Sequence, residues 1–349
     1  MKEDLFKYLS RKDGTLISDD VKKCWYEARA YVLHNLPAWE GKDGIGKDSG
    51  RHLEFVIGGT STLMLSVVRQ IALSAHYTNF NDADGSNATV INIPCNNSDK
   101  EKVEDLLRSE ECVANLYDLC NENFVDINIK LVDNDFENEG AIRITEDDVR
   151  SYIETQNDDI YSIDTRRAQY VNMVYNMGCE INNLPPDDPN TAERYNIALD
   201  VFCYQQSAKQ RTACWNDCAK VNPATGDVNQ FDIRNKLSSV FCADCFDSRI
   251  RGIKGSVADN LEILSRCEHS RWVMEKLILG FAPFSKKDMY RDEELFDKER
   301  REFRKRQKKA FKHIDLCSYH DLKRINPEDM KYDCFLMLAI PHILSEVKL

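Results

Sequence analysis

Three short apolar runs, separated by two helix-like stretches, most constrain what this chain can become. The first run, "LEFVI" at residues 53–57, is β-rich and is punctuated by Gly58 and Gly59. An apolar periodic segment follows to residue 77, with Thr60 or Ser61 placed to cap a helix. "ATVINIP" (88–94) reads as a second strand, and "FVDINIKLVD" (124–133) as a third. Between them, "SDKEKVEDLLRSEECVANLYDLC" (98–120) reads as one helix with a Ser-Asp start. Strand–helix–strand–helix–strand predicts a parallel, doubly wound sheet with right-handed crossovers. The expected fold class is therefore α/β, with a Rossmann-like sheet unit.

The rest of the chain reads as helical. Residues 1–47 form an N-terminal segment, mostly helical in pattern, in which "SDDVKKCWYEARAYVLHNL" (18–36) opens with a Ser-Asp-Asp start and is broken by "PAWEGKDGIGKDSG", a linker. The Rossmann-like domain is expected over 50–165, ending on the acidic helix start "TEDDVRSYIETQNDDI". A helical connecting region, 166–256, follows. It includes a helix ending at Gly178 and a loop, "EINNLPPDDPNTAER". The last region, 257–349, is expected to be a small helical domain. It has a helix near 258–280, a highly charged stretch at 286–313 and a terminal helix at 327–346, its apolar end broken by Pro341.

In parallel α/β sheets ligands gather at the carboxyl ends of the strands, where helix N-termini offer free N–H groups to phosphate. "VIGGTST" has that placement. Gly58 and Gly59 would permit close backbone approach, and Thr60 and Ser61 could donate hydrogen bonds. The dinucleotide fingerprint G-x-G-x-x-G and the phosphate-loop lysine are both absent. Asn92, Asn96 and Asn97 stand at the end of the second strand, with no carboxylate for a ribose 2′-hydroxyl. The ligand class this turn suits is a nucleotide or a fragment of one, rather than NAD in a hydride-transfer site. A plain tight turn is the alternative.

The densest chemistry lies in "CEHSRWVMEKLILGF" (267–281). On a helix, His269, Trp272, Val273 and Lys276 share one strip, and Glu268, Arg271, Trp272 and Glu275 the neighbouring one. Trp272 is within reach of Lys276 for a cation–π contact. Glu268 and His269 point about 100° apart, so they do not form an acid–base pair with each other. A half-buried Trp among solvated charges is the plain alternative.

Downstream, Gly280 and Phe281 are followed by "KKAFKHIDLCSYHDL" and "NPEDMKYD". Together with Glu268, His269, Trp272 and Lys276, the order Lys312, His313, Asp315, Leu316, Tyr319, Leu322, Glu328, Lys331, Tyr332, Asp333 resembles the ryanodine-receptor-type (RyR) repeat domain over about 258–340. Phe281 stands where that family often has Trp, Ile314 replaces a usual Pro, and the insert "FSKKDMYRDEELFDKERREFRKRQKK" is longer and more charged than a minimal hairpin. The whole chain is similar to bacterial proteins that couple a Rossmann-like domain to one such repeat through a helical region. The resemblance implies a cytoplasmic sensor of a nucleotide-derived ligand, in some members in stress or antiviral defence settings. It implies His269, Trp272, Lys276, His313 and Tyr319 as ligand-binding candidates beside Gly58, Gly59, Thr60, Ser61 and Asn92.

Composition narrows the alternatives. The net charge is −12, which argues against a generic nucleic-acid binder or an anionic membrane surface. No run approaches the roughly 20 apolar residues of a membrane helix, and the start lacks the features of a secretory leader. The 13 cysteines are scattered, and their expected state is buried and reduced. Cys214 with Cys218, and Cys242 with Cys245, lack the turn residues of a zinc site, so no metal is expected. No serine elbow or metal-binding His pair appears. A nucleotide-processing hydrolase using His269 or His313 is the second reading. An assembly scaffold, using the basic run "KERREFRKRQKKAFKH" (298–313) and the apolar C-terminal tail and open to a homo-oligomer, is the third. That run is otherwise a solvated helix paired with "RDEELFDKE" before it.

Overall fold

The computed structural model describes residues 2–180, 208–220, 222 and 228–347. The expected loop at 180–194 lies almost wholly outside the described residues, as does the start of the helical pattern expected from 195.

A two-residue strand β1 (Lys2–Glu3) leads to helix α1 (Asp19–Glu40). Strand β2 (Glu54–Gly58), helix α2 (Thr62–Ser74), strand β3 (Thr89–Pro94), helices α3 (Lys100–Leu107) and α4 (Asn115–Leu119), strand β4 (Ile127–Val132), strand β5 (Ile142–Thr145) and helix α5 (Glu146–Glu154) follow. Then come β6 (Ile163–Asp164), paired with β1, and helix α6 (Arg166–Glu180). Helices α7 (Ala208–Cys218), α8 (Gln230–Asp244), α9 (Phe246–Arg251) and α10 (Leu261–Ile278) come next. The chain ends with β7 (Ala282–Pro283), α11 (Lys286–Glu294), α12 (Asp297–Lys309), β8 (Lys312–His313), α13 (Tyr319–Ile325) and α14 (Met330–Glu346).

The main sheet has four strands in the order β4-β3-β2-β5, all parallel. Ile142, Phe55, Ile91 and Ile129 stand opposite one another across it. Three of the four are buried, so this row is part of the core. The fold is mixed α/β, in an arrangement compatible with a Rossmann-like unit. The chain steps from β2 to β3 to β4, then returns to pair β5 on the other side of β2. The topological switch point therefore lies between β2 and β5.

Several elements differ from the sequence expectation. Strand β5 was not anticipated, because "IRIT" is short, carries Arg143 and borders the sheet, where only Ile144 is buried. The helix expected over 98–120 is two, separated by a turn in which Ala114 has φ 38°. The N-terminal segment is tied to that turn. Trp25 Nε1 donates to the carbonyl of Glu111 at 3.0 Å, the backbone N–H of Lys12 reaches Glu110, and Arg11 pairs with Glu111. Two prolines do not end their helices. Helix α1 continues past Pro37 to Glu40, and α14 past Pro341 to Glu346. A proline costs the helix an amide bond. Burial compensates: Glu40 is sealed with Tyr77, Ser248 and Arg251 around it, and Ile340 and Ile343 flank Pro341 in the core. Helix α6 likewise runs past Gly178.

The glycine-rich stretch after α1 is packed rather than free. Ile45 is buried, and a Cβ on Gly46 would stand 2.2 Å from the carbonyl oxygen of Gly252. These glycines let two backbones touch. One continuous apolar cluster runs from Leu5 to Val347. Helix α10 lies at its centre, packed on α2 beside the sheet and on α8 and α14 on the other side. Among the described residues, no helix is long and apolar enough to cross a membrane.

Candidate functional site

Helix α10 carries two differently employed faces, because residues three and four apart line up along a helix. Its end is fixed by Gly280 at φ 85°, which lets the N–H of Phe281 reach the carbonyl of Lys276 at 2.8 Å and its own N–H reach that of Leu277 at 3.0 Å. A residue with a Cβ adopts that backbone only with strain. This closure sets Lys276 and Phe281 at the mouth of the site.

One face is a buried ionic ladder. Glu268 and Arg271 are each 1% exposed and Glu275 is sealed. Arg249 of α9 meets Glu268 at 2.6 Å, and Arg271 bonds Glu268 at 2.8 Å and Glu275 at 2.6 Å. Lys276 pairs with Glu275 at 2.9 Å, and Ser238 of α8 donates to Glu275 at 2.8 Å. Burial alone would raise the Glu268 carboxyl. Arg271 and Arg249 outweigh it and hold it at about 2. Three cations and two carboxylates are thus taken from water, each cation against at least one carboxylate.

A cavity of about 690 Å³ lies among α6, α7, α8, α10 and the C-terminal helices, lined by the other face of α10 and reached also by Glu268 and Arg271 of the ladder. Trp272, Lys276, His269, Phe281 and His313 line one wall, with Lys308 from the last turn of α12. Asn172 and Tyr175 of α6, Asp217 of α7 and Asp232 of α8 also line the cavity. Trp272 stacks against His269 at 6.0 Å and meets the His313 ring edge-on at 4.9 Å. Lys276 Nζ stands 5.7 Å from the Trp272 ring centre, so the anticipated cation–π contact forms. Tyr175 and Tyr332 stack at 4.9 Å beside the opening.

The two histidines of this wall are held in opposite protonation states. Burial alone would lower His269, but its contact with Asp333 at 3.5 Å and then the Cys317 side chain raise it to about 10, while its Nε2 bonds the Cys317 carbonyl at 2.9 Å. It is an imidazolium at neutral pH. Burial pushes Asp333 up to about 6, with His269 pulling it back. His313 is driven well below the usual imidazole range, first by burial and then by the charges of Lys308, Lys276, His269 and Arg304. Its Nδ1 accepts the backbone N–H of Asp315 at 3.2 Å, so the tautomer is Nε2–H. Asp315 lies in the same wall. Asn326 donates to it at 2.9 Å and to Asp329 at 2.8 Å, and burial together with the Asp329 charge pushes the Asp315 carboxyl up.

Of the residues singled out in the sequence, His269, Trp272, Lys276 and His313 are brought together on this cavity. Tyr319 is not. It stands behind His269 at 5.7 Å and lines a smaller cavity of about 370 Å³ with Lys47, Glu262 and Arg266. Gly58, Gly59, Thr60 and Ser61 form the exposed turn at the switch point, outside both cavities. There Ser61 accepts the Met64 N–H as a cap and donates to Glu146 at 2.7 Å. The carboxylate of Glu146, held down first by that bond and then by Arg150, occupies the anion-favouring end of α2. A phosphate at this turn would face it. Asn92 is buried and donates to Glu54 at 2.7 Å, so its amide is engaged inside the sheet.

Lys308, Asp329 and Asp232 escaped sequence reasoning. Lys308 was one cation among many in the basic run, and no local pattern marks it as inward-facing. Within that run Arg300 and Arg304 turn to Asp292 of α11, as the acidic stretch before it suggested. Among the described residues the cysteines are free, and no group of three or more His, Cys, Asp or Glu side chains could hold a metal.

Fold and site define a mixed α/β protein whose parallel sheet supports a polar cavity between helices. Comparisons with protein-family models, curated proteins and solved structures found no match to this chain.

Proposed function

We propose that this is a cytoplasmic ligand-sensing protein of bacterial type, in which a Rossmann-like sheet unit supports a C-terminal helical unit of the RyR repeat kind. Its ligand is nucleotide-derived and binds in the cavity beside α10. The observation that carries this reading is the meeting of Trp272, Lys276, His269 and His313 on one cavity wall. Its volume suits a small organic molecule, since such sites run from roughly 300 to 1,000 Å³. Trp272 offers a face for a base, the cations suit phosphate, and Asp217 and Asp232, also on the lining, suit hydroxyl or amine donors. The switch-point turn is the weaker candidate, because Glu146 already holds the helix end there. Calorimetry of the full chain against mono-, di- and cyclic nucleotides tests this. Binding that Trp272→Ala weakens supports it, and silence across the panel rejects it.

A second reading, turnover of the same nucleotide, is favoured by one observation. Asp315, whose carboxyl burial and the Asp329 charge raise to about 7, shares Asn326 with Asp329 inside the cavity wall, and a raised carboxyl beside a second one suits acid–base work. Product formation that Asp315→Asn abolishes while binding survives would establish the enzyme. Binding without any product retains the sensor.

A further inference from the structure

One corner of the cavity has a donor without an acceptor. His313 is 7% exposed, lines the cavity, and has its Nδ1 engaged by Asp315. Among the described residues, nothing bonds its Nε2. Its Nε2 opens on the cavity rather than being sealed in protein, so water or a ligand must supply the acceptor there.

The charges that face His313 are largely committed elsewhere. On α12, Arg304 is tied to Asp292 by two bonds, at 2.8 and 2.7 Å. On α10, His269 faces Asp333 and Lys276 faces Glu275. Lys308 differs. It is half-buried in the wall, and among the described residues no carboxylate pairs with it. The nearest acid to the imidazole, Asp315, stands at 3.6 Å from Nδ1, on the side away from Nε2. The corner therefore joins one unsatisfied N–H donor to one unpaired ammonium, with further positive charge behind both.

We infer that the His313–Lys308 corner is an anion subsite that takes the phosphate end of the ligand. The inference deepens the cavity reading above and rests on it. A phosphate oxygen would accept from His313 Nε2–H while a second is neutralised by Lys308. Lys276 would contribute long-range attraction while remaining over Trp272. Burial and the Asp329 charge raise the Asp315 carboxyl to about 7, which lessens the repulsion that an anion would meet from that side. The same corner repels a cationic group, so an amine-terminated ligand would point instead toward Asp217 and Asp232.

The linkage has a definite sign. An anion beside Nε2 favours the imidazolium, so binding raises the His313 pKa from its depressed value. The full-length protein, carrying ¹⁵N-labelled histidine, would be titrated with inorganic phosphate and pyrophosphate against sodium chloride of matched ionic strength. His313→Gln assigns the resonance. The expected result is a saturable change at His313 with an upward pKa shift. Lys308→Met should weaken pyrophosphate by about tenfold or more, while far-ultraviolet dichroism shows an intact fold. A His313 resonance indifferent to pyrophosphate, or a response equal for chloride, overturns the subsite. The cavity reading would survive that outcome if a nucleoside still bound in a Trp272-dependent way. Should nucleoside and pyrophosphate both fail to bind, both proposals fall.

Discussion

At the scale of the residue, Glu268 is the most exacting position in the molecule. It is sealed between Arg249 and Arg271, and its neighbour His269 looks the other way. Replacing it by glutamine leaves two guanidinium groups buried with Glu275 as the remaining carboxylate of the ladder. Breaking a buried pair from one side costs about 3–5 kcal/mol, and urea unfolding of Glu268→Gln should show a loss of that size. The pH dependence follows from the sign of the shift. The folded carboxyl lies below its unfolded value, so its contribution is present above the ordinary glutamate range and is lost as pH falls through about 2. The acid limb of the stability curve should therefore be steeper in the natural protein than in the variant. What the sequence discloses here is which side chains of α10 share a strip, because helical periodicity is local. It does not disclose that Arg249 and Asp333 are their partners, which come from α9 and α14 and are set by packing.

At the scale of the element, the legible parts are those with strong local signals. Strands β2, β3 and β4 follow apolar runs, and α5 follows a Thr start with an acid three residues on. Thr145 accepts the Asp148 N–H, and Asp148 accepts that of Thr145 in return. Removing that cap should cost about 1 kcal/mol in Thr145→Ala, read as a shift in urea midpoint with unchanged slope. Signals were weaker where neighbours decide. Strand β5 exists because β2 has an open edge, and the stretch after α1 is ordered by contact with residues 251–252. Gly46→Ala tests the latter. Its Cβ would collide with the Gly252 carbonyl, a backbone atom that cannot rotate away. We expect a loss of stability larger than that of Gly50→Ala, where nothing lies within 4 Å of the new methyl. Equal losses would mean that the two backbones readily part.

At the scale of the whole molecule, four segments can be drawn on the sequence, but one apolar cluster runs through them all. Helix α1 packs on α2, α2 on α10, and α10 on α14, so each segment's core is completed by the next. Cys245 at the end of α8 reaches the carbonyl oxygens of Leu73 and Ser74, and Arg29 of α1 pairs with Asp244 at 2.5 Å. Segments that share a core in this way cannot lose one part without exposing apolar surface in another. Denaturation is therefore expected to be cooperative across the sheet and the cavity. Trp39 meets Phe55 of β2 at 5.3 Å and reports the sheet, while Trp272 reports the cavity. With fluorotryptophan incorporated into the natural sequence, all four tryptophans stay in place and each gives its own ¹⁹F resonance, and the Trp39 and Trp272 midpoints in urea should coincide with each other and with helical dichroism. A ligand that saturates the cavity should then move both midpoints together, by about 2.7 kcal/mol of added stability at a hundredfold excess over its dissociation constant. If Trp272 responds to ligand while Trp39 does not, α10 fails to transmit binding to the sheet, and the sensing element must lie within the helical part alone.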